Sequence, residues 1–236
     1  MKKFSILFVF VAGVFSLTSC LKDDSDIPST SVVTLTNLYP TESGVLYLVN
    51  NNQIQIQSGK YKSNEGFLAI PGNKNIKVID RSKLTKEGSN ANEVMIDTNL
   101  TFIDTLSYSC FVYGQVEKPK FVRAKNIAVK DLGTKSGVRV FHLATGAEKI
   151  NITIGDQEIP AFMNKVQESA ATIETTEVFR AVNSGTFTIK ATDEAGNLLA
   201  QKENVNLKSG SYHNIRINGI KGNEKFPLEI SLSDQE

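Results

Sequence analysis

From residue 32 onward, apolar and polar residues alternate in short runs. Ile150-Asn151-Ile152-Thr153-Ile154 alternates at every position and stops at Gly155-Asp156. Thr186-Phe187-Thr188-Ile189-Lys190 and Asn204-Val205-Asn206-Leu207-Lys208 follow the same rule. A period of two places one set of side chains on each face of a strand, so these runs predict half-buried β-strands. Turn-forming residues punctuate them at Asn50-Asn51-Asn52, Pro71-Gly72-Asn73, Asn183-Ser184-Gly185, Ala195-Gly196-Asn197 and Ser209-Gly210. Short strands with regular turns predict an all-β chain built of β-sandwiches of about 100 residues each. Two stretches break the pattern. Met163 to Thr176, rich in Ala, Glu and Gln, has room for a helical turn, and Ser82 to Asn92 reads as a long exposed hairpin loop.

The strand pattern occurs twice. Val33-Thr34-Leu35-Thr36-Asn37-Leu38 aligns with Val138-Arg139-Val140-Phe141-His142-Leu143 at an offset of 105. In the same register Val45, Tyr47 and Val49 fall on Ile150, Ile152 and Ile154. Tyr108 to Tyr113 aligns with Tyr212 to Ile217 at an offset of 104, and Phe121 with Phe226 at 105. Two copies at so long a period are tandem domains rather than a solenoid. The expected division is 32–126 and 137–236, joined by a connector over 127–136; the boundary stretch Lys130 to Gly137 is polar with two glycines. Asn126 to Val129 is too apolar for a free linker, so the domains are expected to touch.

The first residues have a different character. Lys2 and Lys3 precede an almost wholly apolar run, Phe4 to Leu17. That run falls short of the roughly 20 residues a membrane-spanning helix needs, and it has the layout of a secretory signal over 1–19. Its end, Leu17-Thr18-Ser19-Cys20, resembles the lipobox of bacterial lipoproteins. The resemblance implies a diacylglycerol on the Cys20 thiol and cleavage just before it. Several acyl chains, at about 0.8 kcal/mol per buried methylene, anchor a protein firmly. Residues 20–31 then form a charged tether. Within it Lys22, Asp23 and Asp24 resemble the surface-export signal of Bacteroidota lipoproteins. The expected location is the outer membrane, lipid-anchored and surface-exposed, with attachment facing the periplasm as the alternative.

Charge and composition narrow the function. The formal net charge of +1 becomes −1 once Lys2 and Lys3 leave with the signal, so no basic surplus points to nucleic acid. With Cys20 acylated, Cys110 is left without a disulfide partner and reads as a small apolar filler, a reactive thiol being the other possibility. The only histidines, His142 and His213, fall on different strands, so no metal site and no cofactor is expected. His142 and its counterpart Asn37 end the core-facing rows of their strands, where both bond to loop backbone; a pKa-tuned chemical role for His142 is the alternative. Asp193-Glu194-Ala195-Gly196-Asn197 lacks a calcium-loop pattern and reads as a hairpin turn. Glu174 and Glu177 could act as paired carboxylates, but their threonine neighbours suggest an exposed strand or loop. No nucleophile elbow, phosphate loop or zinc-protease helix is present, and the chain is expected to be non-enzymatic.

The second copy, Gly137 to Thr145 followed by Ile150 to Gly155, resembles a family of bacterial cell-envelope domains of unknown function. Their opening reads V-R-V-x-H-A-S-P, and they occur as tandem immunoglobulin-like sandwiches on lipoproteins. The first copy keeps Pro40 of that motif but not the histidine; the second keeps His142 but has Thr145 for the proline. The resemblance implies two immunoglobulin-like β-sandwiches and an envelope location, without a mechanism. The expected role is an interaction, adhesion or scaffold module with a protein or glycan partner, a carbohydrate-binding accessory of glycan uptake being the alternative. For the latter, Tyr39, Tyr47, Tyr61 and Tyr108 are the candidate sugar-stacking residues in a chain without tryptophan. Both faces of the strand from Tyr108 to Tyr113 are apolar, which marks either a binding patch or the contact between the domains, the contact being favoured.

Overall fold

A computed structural model describes residues 29–54, 59–84 and 94–235. The signal-like segment, Cys20, Lys22, Asp23 and Asp24 lie outside the described residues, as does most of the loop expected between Ser82 and Asn92. The chain is all-β. Its first half forms β1 (Ser31–Asn37), β2 (Val45–Val49), β3 (Asn52–Gln53), β4 (Asn64–Ala69), β5 (Gly72–Asp80), β6 (Val94–Phe102), β7 (Ser107–Gln115) and β8 (Lys118–Lys125). Its second half forms β9 (Lys135–His142), β10 (Lys149–Ile154), β11 (Gln157–Glu158), β12 (Lys165–Val166), β13 (Arg180–Asn183), β14 (Gly185–Thr192), β15 (Leu198–Leu207), β16 (Tyr212–Asn218) and β17 (Glu229–Gln235).

The halves share one topology. The first packs a sheet ordered β4-β1-β7-β8 on one ordered β3-β2-β5-β6; the second packs β13-β9-β16-β17 on β11-β10-β14-β15, with β12 added beside β10. In each half the first strand runs parallel to the next-to-last, β1 beside β7 and β9 beside β16. The alternation explains both cores. Val33, Leu35, Val45, Tyr47, Ile76, Val78, Tyr108, Cys110 and Val112 close the first sandwich. Val138, Val140, Ile150, Ile152, Ile154, Ile189, Ile215 and Ile217 close the second.

Strand register corrects the alignment in two places. Val33 lies opposite Tyr108, and Val138 opposite His213. The offset of 105 therefore persists through β7 and β16: Tyr108 corresponds to His213 and Cys110 to Ile215, not to Tyr212 and Asn214. A shift of one residue would have turned every side chain to the wrong face. Phe121 pairs with Val112, and Ile230 with Ile217, so the counterpart of Phe121 is Ile230. Phe226 lies in the longer turn between β16 and β17. The stretch from Met163 to Thr176 contains one 3₁₀ turn, Ile173–Thr176, and another precedes it at Pro160–Phe162.

The two sandwiches meet through their inner sheets, β4-β1-β7-β8 against β13-β9-β16-β17, giving four sheet layers in succession. The contact has its own apolar cluster: Leu38, Phe111, Tyr113, Val122 and Ala124 from the first half, with Phe141, Leu143 and Ile173 from the second. Phe111 and Phe141 lie 4.6 Å apart between ring centroids. The layers follow an approximate two-fold relation: β7 and β8 face the β9 side, while β4 and β1 face the β16 and β17 side. Such self-matching geometry is that of an isologous dimer, here joined within one chain.

Candidate functional site

The residues with chemical potential are held inside the framework. Asn37 is buried; its amide donates to the Gly59 carbonyl at 2.7 Å and its side-chain oxygen accepts from the Tyr39 backbone N–H at 2.9 Å. His142, at the matching position, sets Nε2 3.0 Å from the Ala147 carbonyl, while its buried Nδ1 has no protein partner. Loss of hydration pulls the His142 pKa down to about 4, the Ala147 hydrogen bond opposing this and Lys165 and Lys120 adding to it. His213 is buried, with Nδ1 2.8 Å from Asp234 Oδ1 and Nε2 accepting from the Lys208 N–H at 3.2 Å. In the parallel pairing of β9 and β16, His142 lies opposite Ile217 and His213 opposite Val138, so the histidines sit at opposite ends of the pair. Burial pushes the Cys110 thiol up to about 12, where it remains a neutral core side chain.

The four tyrosines named as sugar platforms occupy other roles. Tyr39, Tyr47 and Tyr108 are wholly buried and present no ring face to a ligand. The Tyr39 hydroxyl donates to the Val116 carbonyl, and the Tyr108 hydroxyl accepts from the Ile103 N–H, each at 2.9 Å. Tyr61 is half-buried, packs edge-on against Phe226 at 5.1 Å and accepts from the Asn218 amide at 2.9 Å, so it bridges the two sandwiches. The Asp193 carboxylate is taken up by its own turn, accepting from the N–H groups of Ala195 at 3.0 Å and Asn197 at 2.8 Å.

The seam holds a residue that the sequence did not single out. Arg139, on β9, is 1% exposed and stands between the rings of Phe141 and Phe179, 4.7 and 4.4 Å from their centroids. Nε donates to Asn214 Oδ1 at 2.7 Å; Nη1 donates to the carbonyls of Lys125 at 2.7 Å and Glu177 at 3.1 Å. Nη2 donates to Ser109 Oγ at 3.1 Å and to Asn126 Oδ1. A guanidinium has five N–H groups, and here all five are used, on acceptors from both sandwiches. Desolvation lowers its pKa to about 9, with Glu177 and Glu168 acting in the opposite sense, so it stays charged at neutral pH. Alternation alone places Arg139 on the strand face opposite Val138 and Val140. Only the covering of that face by the other sandwich turns it from a surface charge into a keystone.

Beside the keystone a cleft of about 390 Å³ opens where β6 and β8 meet the 3₁₀ turn, with lining that includes Thr98, Thr101, Phe121, Arg123, Glu174 and Glu177. Arg123 is braced over the Tyr108 ring, 5.2 Å from its centroid, and donates to the Thr101 carbonyl at 2.5 Å. Glu174 is exposed. Glu177 is buried and accepts from the Lys125 N–H at 2.9 Å, so the two carboxylates do not form an equivalent pair. Hydroxyls, a guanidinium and a free carboxylate on a rigid floor suit hydrogen bonding to a polar ligand.

No family profile matches the sequence, and neither does any curated protein. Among solved structures, the chain is similar to the CBMbc module, of carbohydrate-binding family 26, from Eubacterium rectale Amy13K, solved in complex with maltoheptaose. Identity is 10% and the TM-score 0.26, over 87% of this chain and 97% of that one.

Proposed function

We propose that the protein is a non-catalytic lipoprotein of the outer membrane, tethered through Cys20 and displayed at the cell surface, where it recognises a partner protein. The observation that carries this reading is the seam cleft. It draws on both sandwiches and depends on the fixed angle that Arg139 and the aromatic cluster impose. By contrast, the histidines, the free thiol and the Glu168 carboxylate are buried within the framework, which suits a rigid display body better than a reaction site. β6 is an edge strand beside the cleft, and sandwiches commonly recognise extended segments along such edges. The polar lining of the cleft also favours a second reading, a carbohydrate-binding accessory that takes a hydroxyl-rich sugar.

Two measurements test this. Cys20→Ala is expected to move the protein from the membrane to the soluble fraction; retention of the variant would overturn the anchor. The acylated chain, offered surface proteins and a glycan array in parallel, is expected to bind a protein ligand that the double variant Arg123→Glu, Glu174→Lys no longer holds. Binding that survives this double change would remove the cleft as the site. Binding confined to glycans, and lost in the variant, would establish the second reading instead.

A further inference from the structure

We propose that the end of the molecule where β1 begins rests directly on the lipid surface, as a second, apolar point of contact beside the acylated cysteine. The inference builds on the anchor reading above and adds an orientation to it. Four aliphatic side chains stand exposed at that end of the first sandwich: Val32 at 51%, Leu68 at 67%, Ile70 at 56% and Ile103 at 52%. Val32 and Leu68 are direct strand partners. Ile70 follows β4 in the link to β5, and the Ser31 hydroxyl, donating to the Ile103 carbonyl at 2.6 Å, ties Ile103 to the start of β1.

The matching corner of the second sandwich is covered. Gly137 stands where Val32 stands, and the Tyr212 ring lies over it so closely that a Cβ there would come within 2.3 Å of the ring. Tyr212 in turn packs on Phe179 at 4.9 Å and donates to the Val129 carbonyl at 2.7 Å. One copy of the corner is therefore sealed by its own aromatic rings, while the other is left bare. The bare one lies where the tether joins the body. Eight residues lie between Cys20 and Ser29, the first described residue, and the nine steps reach at most about 32 Å. An anchor that short keeps this end, rather than the far end, near the headgroups.

The second sandwich turns the same end toward the membrane. Across the seam Arg139 meets Ser109, and Phe141 meets Phe111, so β7 and β9 run in the same direction. The starts of β1, β7, β9 and β16 thus lie together. Around the start of β9 and β16, Lys130, Lys135 and Lys208 are exposed, beside Asp131, whose carboxylate caps its own turn at Gly133; Asp104 is exposed at the first sandwich's edge. Aliphatic side chains flanked by lysines suit the boundary between acyl chains and anionic headgroups.

The test uses the acylated mature chain in vesicles of phosphatidylethanolamine with a minority of phosphatidylglycerol. Because Cys110 is buried and Cys20 acylated, a cysteine introduced at Ile103→Cys takes an environment-sensitive fluorophore selectively; Val116→Cys, on the hairpin at the far end of the sandwich, is the comparison. The expected result is blue-shifted emission, quenched by lipid-borne quenchers, at 103 and not at 116, and loss of that shift when Leu68→Asp and Ile70→Asp are added. Vesicles that float with the protein but give the same emission at both positions overturn the resting orientation and leave the anchor standing. Protein that fails to float overturns both.

Discussion

Arg139 and Arg216 lie on neighbouring strands of the same sheet, both buried and both turned into the seam, yet the protein treats them differently. Arg139 has five acceptors for its five N–H groups. Arg216 donates to the Leu232 carbonyl at 2.9 Å and reaches Asn64 Oδ1 only at 3.5 Å, and its Nε has no partner. Desolvation lowers both pKa values, to about 9 for Arg139 and about 10 for Arg216. The approximate two-fold relation places them on opposite halves of the contact: Arg139 with the aromatic cluster, Arg216 with Asn64, Asn218, Tyr61 and the Lys62–Glu229 ion pair. A buried cation costs desolvation wherever it sits, and only a complete set of partners offsets that cost. The aromatic half therefore locks the sandwiches, while the polar half fits around the lock.

The same substitution at both positions would break this contrast most directly. Methionine keeps the stem volume and removes the charge. At Arg139 it removes a donor from each of five acceptors in a dry contact, although Asn126 Oδ1 still accepts from the Ser109 hydroxyl and the Glu177 carbonyl from the Ile127 N–H, and Arg139→Met is expected to cost about 4 kcal/mol in the urea-unfolding free energy. It should also loosen the angle between the sandwiches, visible as a larger radius of gyration in solution scattering before unfolding. A loss below about 1 kcal/mol would show that the aromatic cluster holds the seam alone.

A second comparison, between the two copies of one position, gives the next effect. Asn37 and His142 end equivalent strands, but only the histidine can titrate. Its pKa falls from about 6.5 in the unfolded chain to about 4 in the folded protein. Between those values the unfolded chain holds a proton that the folded one excludes, so stability is complete above about pH 6.5 and declines as the pH falls toward 4. The integrated loss is about 3 kcal/mol. His142→Asn, which writes the first copy's residue into the second, should flatten this decline relative to the parent when urea midpoints are compared at about pH 7 and about pH 4.5. Parallel curves for the two proteins would assign the acid sensitivity elsewhere.

These contrasts also show where sequence reading stops. Alternation with period two is enough to place the strands and the two cores wherever one face of a strand is buried and the other wet. It failed on β7 and β16, whose two faces are both buried, one in a sandwich core and the other in the seam. With no polar face to fix the phase, residue likeness pairs Tyr108 with Tyr212, one position from the pairing with His213 in the structure. The candidate tyrosines illustrate a related limit: an aromatic residue in a strand looks the same in sequence whether its ring faces core or solvent, and Tyr39, Tyr47 and Tyr108 face the core. Arg139 does not stand out in the sequence, because a strand arginine between valines is an ordinary surface residue until another layer covers it. The cleft was not legible either, since Arg123 and Glu174 become neighbours only when the sandwiches dock.

The smallest expected effect sharpens the opening contrast from the other side. Arg216→Met removes a cation that is only partly partnered, and so removes a desolvation cost along with its few hydrogen bonds. The Leu232 carbonyl loses a donor, but β17 pairs with β16 along its length and retains the ladder that positions it. Asn64 keeps its 2.8 Å hydrogen bond from Thr36. Glu229 keeps the Asn218 amide at 3.0 Å and the Lys62 ammonium. Almost every group near Arg216 thus has a second partner, whereas five acceptors from the two sandwiches converge on Arg139 in the seam. The expected change in the urea-unfolding free energy is less than about 1 kcal/mol in either direction. A loss as large as that of Arg139→Met would mean that both halves of the seam carry the lock equally, and that hydrogen-bond completeness is not what distinguishes them.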